Sequence, residues 1–157
     1  MANSQVEFHD RKHPAHGVLY VAGKPTIVFD TVCTKDRKPW LANDDVHRLL
    51  CEVWVDASMW LVGRYIIMPD HIHLFAAMTA HEIEFRNWVR YWKSNFTRRL
   101  KVADFRWQTA DWDTRMRTPE QYEEKWDYVR FNAVRHKLVE RPEDWPYQGV
   151  LNDIRWD

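Results

Sequence analysis

The sequence predicts an α+β fold of the ferredoxin-like type, with an antiparallel sheet and helices on one face. The first observation behind this prediction is the element order of strand, helix, strand, strand, helix, strand, which is that of a split β-α-β arrangement. The second is size, because 157 residues that are 45% hydrophobic suffice for one compact core. We therefore predict a single domain over residues 1–157.

The first half of the chain alternates strand and helix signals. Residues 1–24 mix His, Pro, Gly and charge without a period, and we expect an extended lead-in there. The first strand follows from Thr26, where "TIVFDTVCT" is β-branched and apolar. Asn43 is expected to cap a helix that ends near Ser58. The strands "MWLVGRYIIM" and "HIHLFAAM" come next, joined by a tight turn at Pro69 and Asp70.

The second half begins with a long helix. Trp88 and Trp92 belong to its apolar stripe, so we assign them to the core rather than to a surface that stacks bases. The segment "DFRWQTADWDTRM" is predicted to be a strand with a polar break. Thr118 as N-cap and Pro119 in the first turn then predict a further helix. Residues 150–157 form a tail that either packs back or stays loose.

Charge is balanced over the whole chain but not along it. Lys plus Arg equals Asp plus Glu at 23 each, which does not indicate a strongly basic nucleic-acid-binding domain. No acid lies between Glu84 and Asp104, however, and the long helix there is rich in bases. Its candidate DNA-binding residues are Arg86, Arg90, Lys93, Arg98 and Arg99. The alternative for this run of charges is a solvated helix face, which for Arg98 and Arg99 explains the charge as well as contacts to phosphates do.

The cysteine and hydropathy patterns suggest an intracellular location. Cys33 and Cys51 have no metal-type spacing, and the start of the chain lacks the apolar segment of a secretory signal. No apolar run approaches the ~20 residues that span a bilayer. We expect a cytoplasmic protein with no membrane partner.

The stretch "MPDHIHLF" places His71 and His73 on one face of a strand and Ile72 on the other. Two neutral imidazoles are potential ligands of a divalent ion, which would need further ligands from another element. The alternative is a structural or surface pair of histidines. A zinc hydrolase is the third interpretation, but no Glu or third His lies nearby at helical spacing.

The last long helix carries a second candidate pair. Tyr128 and Asn132 are four residues apart, so we expect them to share a face, offset from the stripe of Trp126 and Val129. Such a face would present a phenol beside an amide oxygen. Alternatively, Tyr128 is one more buried aromatic residue and Asn132 lies at the helix end.

Four strings together resemble a known family. They are "YIIMPDHIHLF", "WVRYWKSNFTRRL", "FRWQ" and "YVRFNAVRHKLVERPEDWPYQG". In this order they are similar to the REP-associated tyrosine transposases, a branch of the single-tyrosine HUH transposases, over about residues 26–149. The resemblance implies an HUH endonuclease type of fold.

The resemblance also implies roles for four residues. His71 and His73 match the two histidines of the HUH motif, and Tyr128 matches the nucleophilic tyrosine. Asn132 lies where the wider superfamily places a Gln or Asn that completes the metal site. The implied cofactor is Mg²⁺ or Mn²⁺, and no nucleotide cofactor is expected.

The implied function is a metal-dependent single-stranded DNA endonuclease and strand transferase that acts at hairpin-forming repeats through a 5′-phosphotyrosine intermediate. The alternative is a non-catalytic protein that descends from such a transposase and binds hairpin DNA. Single-stranded or hairpin DNA is the expected partner, with activity at the bacterial nucleoid. We expect a monomer, with a dimer as the alternative.

Overall fold

The structure is a computed structural model that describes residues 18–21, 27–79 and 83–156. Most of the predicted lead-in, residues 1–24, lies outside the described residues. Its described part, Val18–Val21, is a strand.

Seven strands, four α-helices and two short 3-10 helices make up the described fold. The strands are β1 (Val18–Val21), β2 (Ile27–Cys33), β3 (Trp60–Ile67), β4 (His71–Met78), β5 (Trp112–Met116), β6 (Gln148–Val150) and β7 (Asp153–Trp156). The helices are α1 (Asp44–Asp56), α2 (Phe85–Leu100), α3 (Pro119–Val129) and the short α4 (Asn132–Arg135). The main sheet is antiparallel in the order β5-β2-β4-β3-β6. With α1 between β2 and β3 and α2 between β4 and β5, the predicted ferredoxin-like fold is confirmed.

Both predicted helix starts are present. Asn43 accepts a hydrogen bond from the backbone N–H of Val46 at 2.9 Å. Thr118 Oγ1 accepts from the N–H of Gln121 at 3.1 Å, while Gln121 Oε1 accepts from the N–H of Arg117 at 2.7 Å. These bonds satisfy backbone donors that have no partner inside the helix, which is why polar residues at these positions begin α1 and α3.

Helices cover both faces of the sheet. On one face, apolar side chains such as those of Ile72 and Leu74 pack with α1 and α2, and Trp88 and Trp92 are fully buried there as predicted. On the other face, Phe75 and its neighbours pack with α3 and α4. The expectation of helices on one face therefore holds for α1 and α2 only. Because alternate residues of β2 and β4 are apolar on both sides, each face needs a cover.

The described part of the C-terminal tail packs back onto the sheet. Asn152 is buried and its Nδ2 donates to the backbone oxygen of Val62 at 2.9 Å. Ile154 lies so close to Gly63 that a Cβ there would come within 2.6 Å of the Ile154 side chain. The strand β7 then pairs in parallel with β1. No helix among the described residues combines the length and apolar character that crossing a membrane requires.

Candidate functional site

The two histidines of β4 project from the sheet face that α3 and α4 cover. Their ring centroids lie 4.8 Å apart, so the predicted shared face is observed. The ring of His73 stacks on Phe29 at 5.3 Å, and the ring of Phe75 meets that of Tyr122 from α3 at 4.5 Å. The packing of α3 against β2 and β4 thus holds in place the aromatic rings beside the two imidazoles.

Each imidazole is held through Nδ1. His71 Nδ1 lies 2.7 Å from Asp70 Oδ1, and because a carboxylate only accepts, His71 donates. His73 Nδ1 contacts Thr31 Oγ1 at 2.9 Å. Burial lowers the pKa of His71, and it lowers the pKa of His73 to about 3, with help from the neighbouring His71. Both rings are therefore neutral at pH 7, and in His71 the lone pair is on Nε2.

Tyr128 lies near the end of α3 with its side chain 63% exposed. The guanidinium of Arg135 lies over its ring, 4.0 Å from the ring centroid. Arg135 also donates a hydrogen bond to Asn132 Oδ1. Sequence reasoning missed Arg135 because a contact with Tyr128 depends on how α4 turns back. The three-residue spacing from Asn132 was the available signal.

Tyr128 and Asn132 do not lie on one continuous helix, as the shared face predicted from their spacing requires. The helix α3 ends at Val129, where the N–H of Phe131 donates to the carbonyl of Tyr128, three residues back, at 3.4 Å. This tighter turn changes the rotation of the chain before α4 begins at Asn132. As a result Asn132 is only 7% exposed, whereas Tyr128 faces solvent. Arg135 is the residue that contacts both.

The histidine pair fits a divalent ion as two of its ligands. Among the described residues, no group of three or more His, Cys, Asp or Glu side chains is arranged to hold a metal ion. A third donor would have to be an oxygen, such as the Asn132 amide or a phosphate. Lys125, Arg135 and Arg37 lie near enough to lower the pKa of His73 further. This positive surrounding favours an anion such as a phosphate beside the imidazoles.

Four of the five predicted DNA-binding residues line a separate cleft, which we call the basic groove. It has a volume of about 940 Å³ and runs between α2 and residues 106–111 with Asp113. Its basic residues from α2 are Arg86, Arg90, Lys93 and Arg98. Arg99 instead pairs with Asp56 of α1 at 2.6 Å. Since α2 covers the opposite sheet face, the structure does not bring these residues together with the histidines.

A fully buried acid, Asp30, lies beneath the basic groove. Within the described residues no N–H or hydroxyl group donates to its two carboxyl oxygens. Asp111 is its hydrogen-bonding neighbour, and a bond between two carboxyl groups requires a proton. Burial first, and then Asp111, raise the pKa of Asp30 well above its usual range, while Lys93 opposes this. Asp30 is therefore protonated at neutral pH.

Asp30 is expected to make the protein less stable as pH rises. Its pKa is higher in the folded than in the unfolded chain, so its stabilisation is complete below pH 4 and is lost between pH 4 and the raised value. The loss has a limiting slope of about 1.4 kcal/mol per pH unit. Asp30→Asn should remove this slope, because an amide can donate to Asp111 without titrating. Urea unfolding of wild type and of Asp30→Asn from pH 5 to 8 measures the free energy of unfolding. The same pH dependence in both proteins would contradict the conclusion that Asp30 is protonated.

Comparison with known proteins finds transposases that are similar to the chain in sequence and in fold. No protein-family model matches it. It is 29% identical over 151 residues to a putative REP-associated tyrosine transposase of Haemophilus influenzae, with 84% of each chain covered.

Two solved structures share the fold. A REP-associated tyrosine transposase bound to a REP hairpin superposes with a TM-score of 0.70 at 22% identity, covering 80% of this chain and 77% of that one. A putative transposase from Deinococcus radiodurans has a TM-score of 0.50 at 16% identity, covering 69% and 91%.

Proposed function

We propose that this chain, which is similar in sequence to a REP-associated tyrosine transposase as its motifs predicted, cuts and rejoins single-stranded DNA at hairpin-forming repeats. One observation carries the proposal. The neutral pair of His71 and His73 lies on the sheet face covered by α3, the helix that presents the exposed Tyr128. The similarity to REP-associated tyrosine transposases supports the proposed hairpin DNA binding.

The side chains around the pair supply phosphate binding and orientation. Lys125, Arg135 and Arg37 provide the positive potential that draws a phosphodiester to the imidazoles. Asp70 and Thr31 fix the two rings through Nδ1. Pre-set groups of this kind cost no reorganisation when the phosphate arrives, which is how positioning lowers the barrier.

A divalent ion, Mg²⁺ or Mn²⁺, held by His71, His73 and the Asn132 amide oxygen would polarise a non-bridging phosphate oxygen. Asn132 would have to share its oxygen with Arg135, and a carbonyl oxygen has two lone pairs for this.

Tyr128 is the proposed nucleophile. Its Oη forms a bond to phosphorus as the bond from phosphorus to the 3′ oxygen breaks. The phenolic proton is lost, and the departing 3′ oxygen gains a proton. The product is a 5′-phosphotyrosine and a free 3′-hydroxyl. Attack by a 3′-hydroxyl on this linkage rejoins the strands, and because the intermediate keeps the phosphodiester energy, no nucleotide cofactor is needed.

A hairpin-binding protein without cleavage activity is the second candidate. The observation in its favour is that Asn132 is buried and hydrogen-bonded to Arg135 rather than open to solvent. The two candidates make the same DNA contacts and differ in whether a strand is broken.

Incubation of the protein with labelled repeat hairpins carrying single-stranded flanks, with and without Mn²⁺, separates the candidates. Binding is followed by fluorescence anisotropy and cleavage on a denaturing gel. Cleavage that requires Mn²⁺ supports the enzyme. Tight binding without cleavage across a range of repeats supports the second candidate, and absence of binding contradicts both.

The basic groove is the proposed binding surface for the hairpin arms. Replacing Arg90 by Ala should weaken hairpin binding at low salt and lower the slope of log affinity against log salt by about 1. Arg99→Ala removes an equal charge from the same helix, but Arg99 already pairs with Asp56, so its effect should be smaller. Anisotropy titrations over a salt series measure both slopes. Equal slopes for the two variants would place the DNA elsewhere.

A further inference from the structure

An exposed tryptophan lies in line with the histidine pair. Trp112 begins the edge strand β5, and its side chain is 63% exposed. In the sheet register Trp112 lies opposite Thr31, and Thr31 lies opposite His73. Side chains of residues opposite one another project from the same face, and the Thr31 contact with His73 follows this rule. Trp112 is therefore two strand spacings, roughly 10 Å, from His73.

A cavity continues from this tryptophan towards the proposed nucleophile. Thr114 and Met116 follow Trp112 on the same face of β5, because alternate strand residues share a face. Both line a cavity of about 360 Å³ whose far side includes Lys125 and Tyr128 from α3. Trp112 therefore precedes the cavity on the same face of β5, and Tyr128 lines the far side of the cavity.

The fold does not account for the exposure of Trp112. Of the five residues of β5, only Met116 is buried, and it anchors the strand in the core. Lys125 lies over the Phe29 ring, 5.2 Å from its centroid, beside the stack with His73. The cavity is lined by two basic residues, Arg115 and Lys125, and by the acid Glu124. An exposed indole beside basic side chains is the combination that binds single-stranded nucleic acid, in which bases stack and phosphates are neutralised.

We propose that Trp112 stacks an unpaired base of the DNA strand whose neighbouring phosphate is presented to His73 and Tyr128. The inference rests on the proposed function and names the side chain that binds the unpaired nucleotides beside the cleavage site. Stacking tolerates every base, so Trp112 binds the unpaired state of the strand rather than its sequence. A second copy of the chain pairing with the edge strand β5 is the competing occupant.

The test compares one hairpin with and without a single-stranded flank, by fluorescence anisotropy at fixed salt. Trp112→Ala should weaken binding of the flanked hairpin by about 5- to 150-fold and leave the blunt hairpin unchanged. Trp112→Phe should restore most of the affinity. Tyr91→Ala is the matched control, since Tyr91 is an exposed aromatic residue on the opposite side of the molecule. Thermal unfolding establishes that each variant is folded.

Abasic substitutions along the flank locate the stacked base. Wild type should lose affinity at one abasic position, and Trp112→Ala should be insensitive there. The inference is overturned if Trp112→Ala binds the flanked hairpin with wild-type affinity, or if its affinity for both hairpins falls equally. It is also overturned if the substitution instead abolishes a dimer seen by light scattering. Because these readouts are equilibrium affinities, they are independent of cleavage. A wild type that binds the flank through Trp112 but never cuts would contradict the proposed function alone.

Discussion

Replacing Tyr128 by Phe is expected to abolish the covalent protein–DNA adduct and strand cleavage, by on the order of 10³-fold or more. The substitution removes only the hydroxyl that would attack phosphorus. The ring and its contact with the Arg135 guanidinium remain, and the side chain is exposed, so stability and hairpin affinity should stay close to those of wild type. Denaturing gels of labelled hairpin with Mn²⁺ measure the adduct and the cleaved strand together.

Tyr91→Phe is the matched control, because Tyr91 is also an exposed tyrosine and lies on α2. It should form the adduct at the wild-type rate. An undiminished adduct in Tyr128→Phe would remove Tyr128 from the role of nucleophile, even if the DNA is still cut.

Removing the imidazole of His73 is expected to have the second largest effect. His73→Ala should lower Mn²⁺ affinity and cleavage together, because the pair with His71 supplies both nitrogen ligands of the proposed site. Mn²⁺ binding is measured by electron paramagnetic resonance without DNA, which separates metal binding from activity. Chelation by EDTA should likewise stop cleavage by wild type, and added Mn²⁺ should restore it.

A substitution of the nearby His136 is the control for His73→Ala. Its side chain is exposed, so His136→Gln removes an imidazole without opening the core. It should keep the Mn²⁺ affinity of wild type. Unchanged Mn²⁺ binding in His73→Ala, or cleavage that survives EDTA, would show that the histidines have another role.

The elements of this fold were accessible from sequence because they follow from local patterns. The apolar stripe of Trp88 and Trp92 predicted a core helix, and both side chains are buried. Asn43 and Thr118 predicted helix starts, and each makes the expected capping bond. The alternation of β4 placed His71 and His73 on one face. In every case the signal is a pattern of a few residues along the chain.

The arrangement of the site was less accessible because it depends on contacts between elements. Helical periodicity groups Arg86 and Arg90 on one face of α2, but it does not say which face of the sheet α2 covers. In the structure α2 covers the sheet face opposite the histidines, so the basic groove and the histidines lie on opposite faces. The sequence contains no Gly or Pro after Val129 that would predict the tight turn. A continuous helix was therefore expected, and Asn132 was assigned to the face of Tyr128.

The two-faced arrangement suggests how DNA is handled. The basic groove carries positively charged side chains. The opposite face of the sheet carries the two histidines, Tyr128 and the exposed indole of Trp112. We expect paired arms to lie on the first surface and the unpaired strand on the second. The antiparallel sheet holds the two surfaces at a fixed separation.

The most direct test of the central claim is to identify the residue that carries the DNA. A flanked repeat hairpin labelled at its 3′ end is incubated with wild type and Mn²⁺, the protein is denatured and digested, and the labelled peptide is sequenced by mass spectrometry. The account predicts a label linked through a 5′ phosphate to Tyr128, together with a released strand that ends in a 3′-hydroxyl. A label on another residue, or no labelled protein although the hairpin is bound, would contradict it.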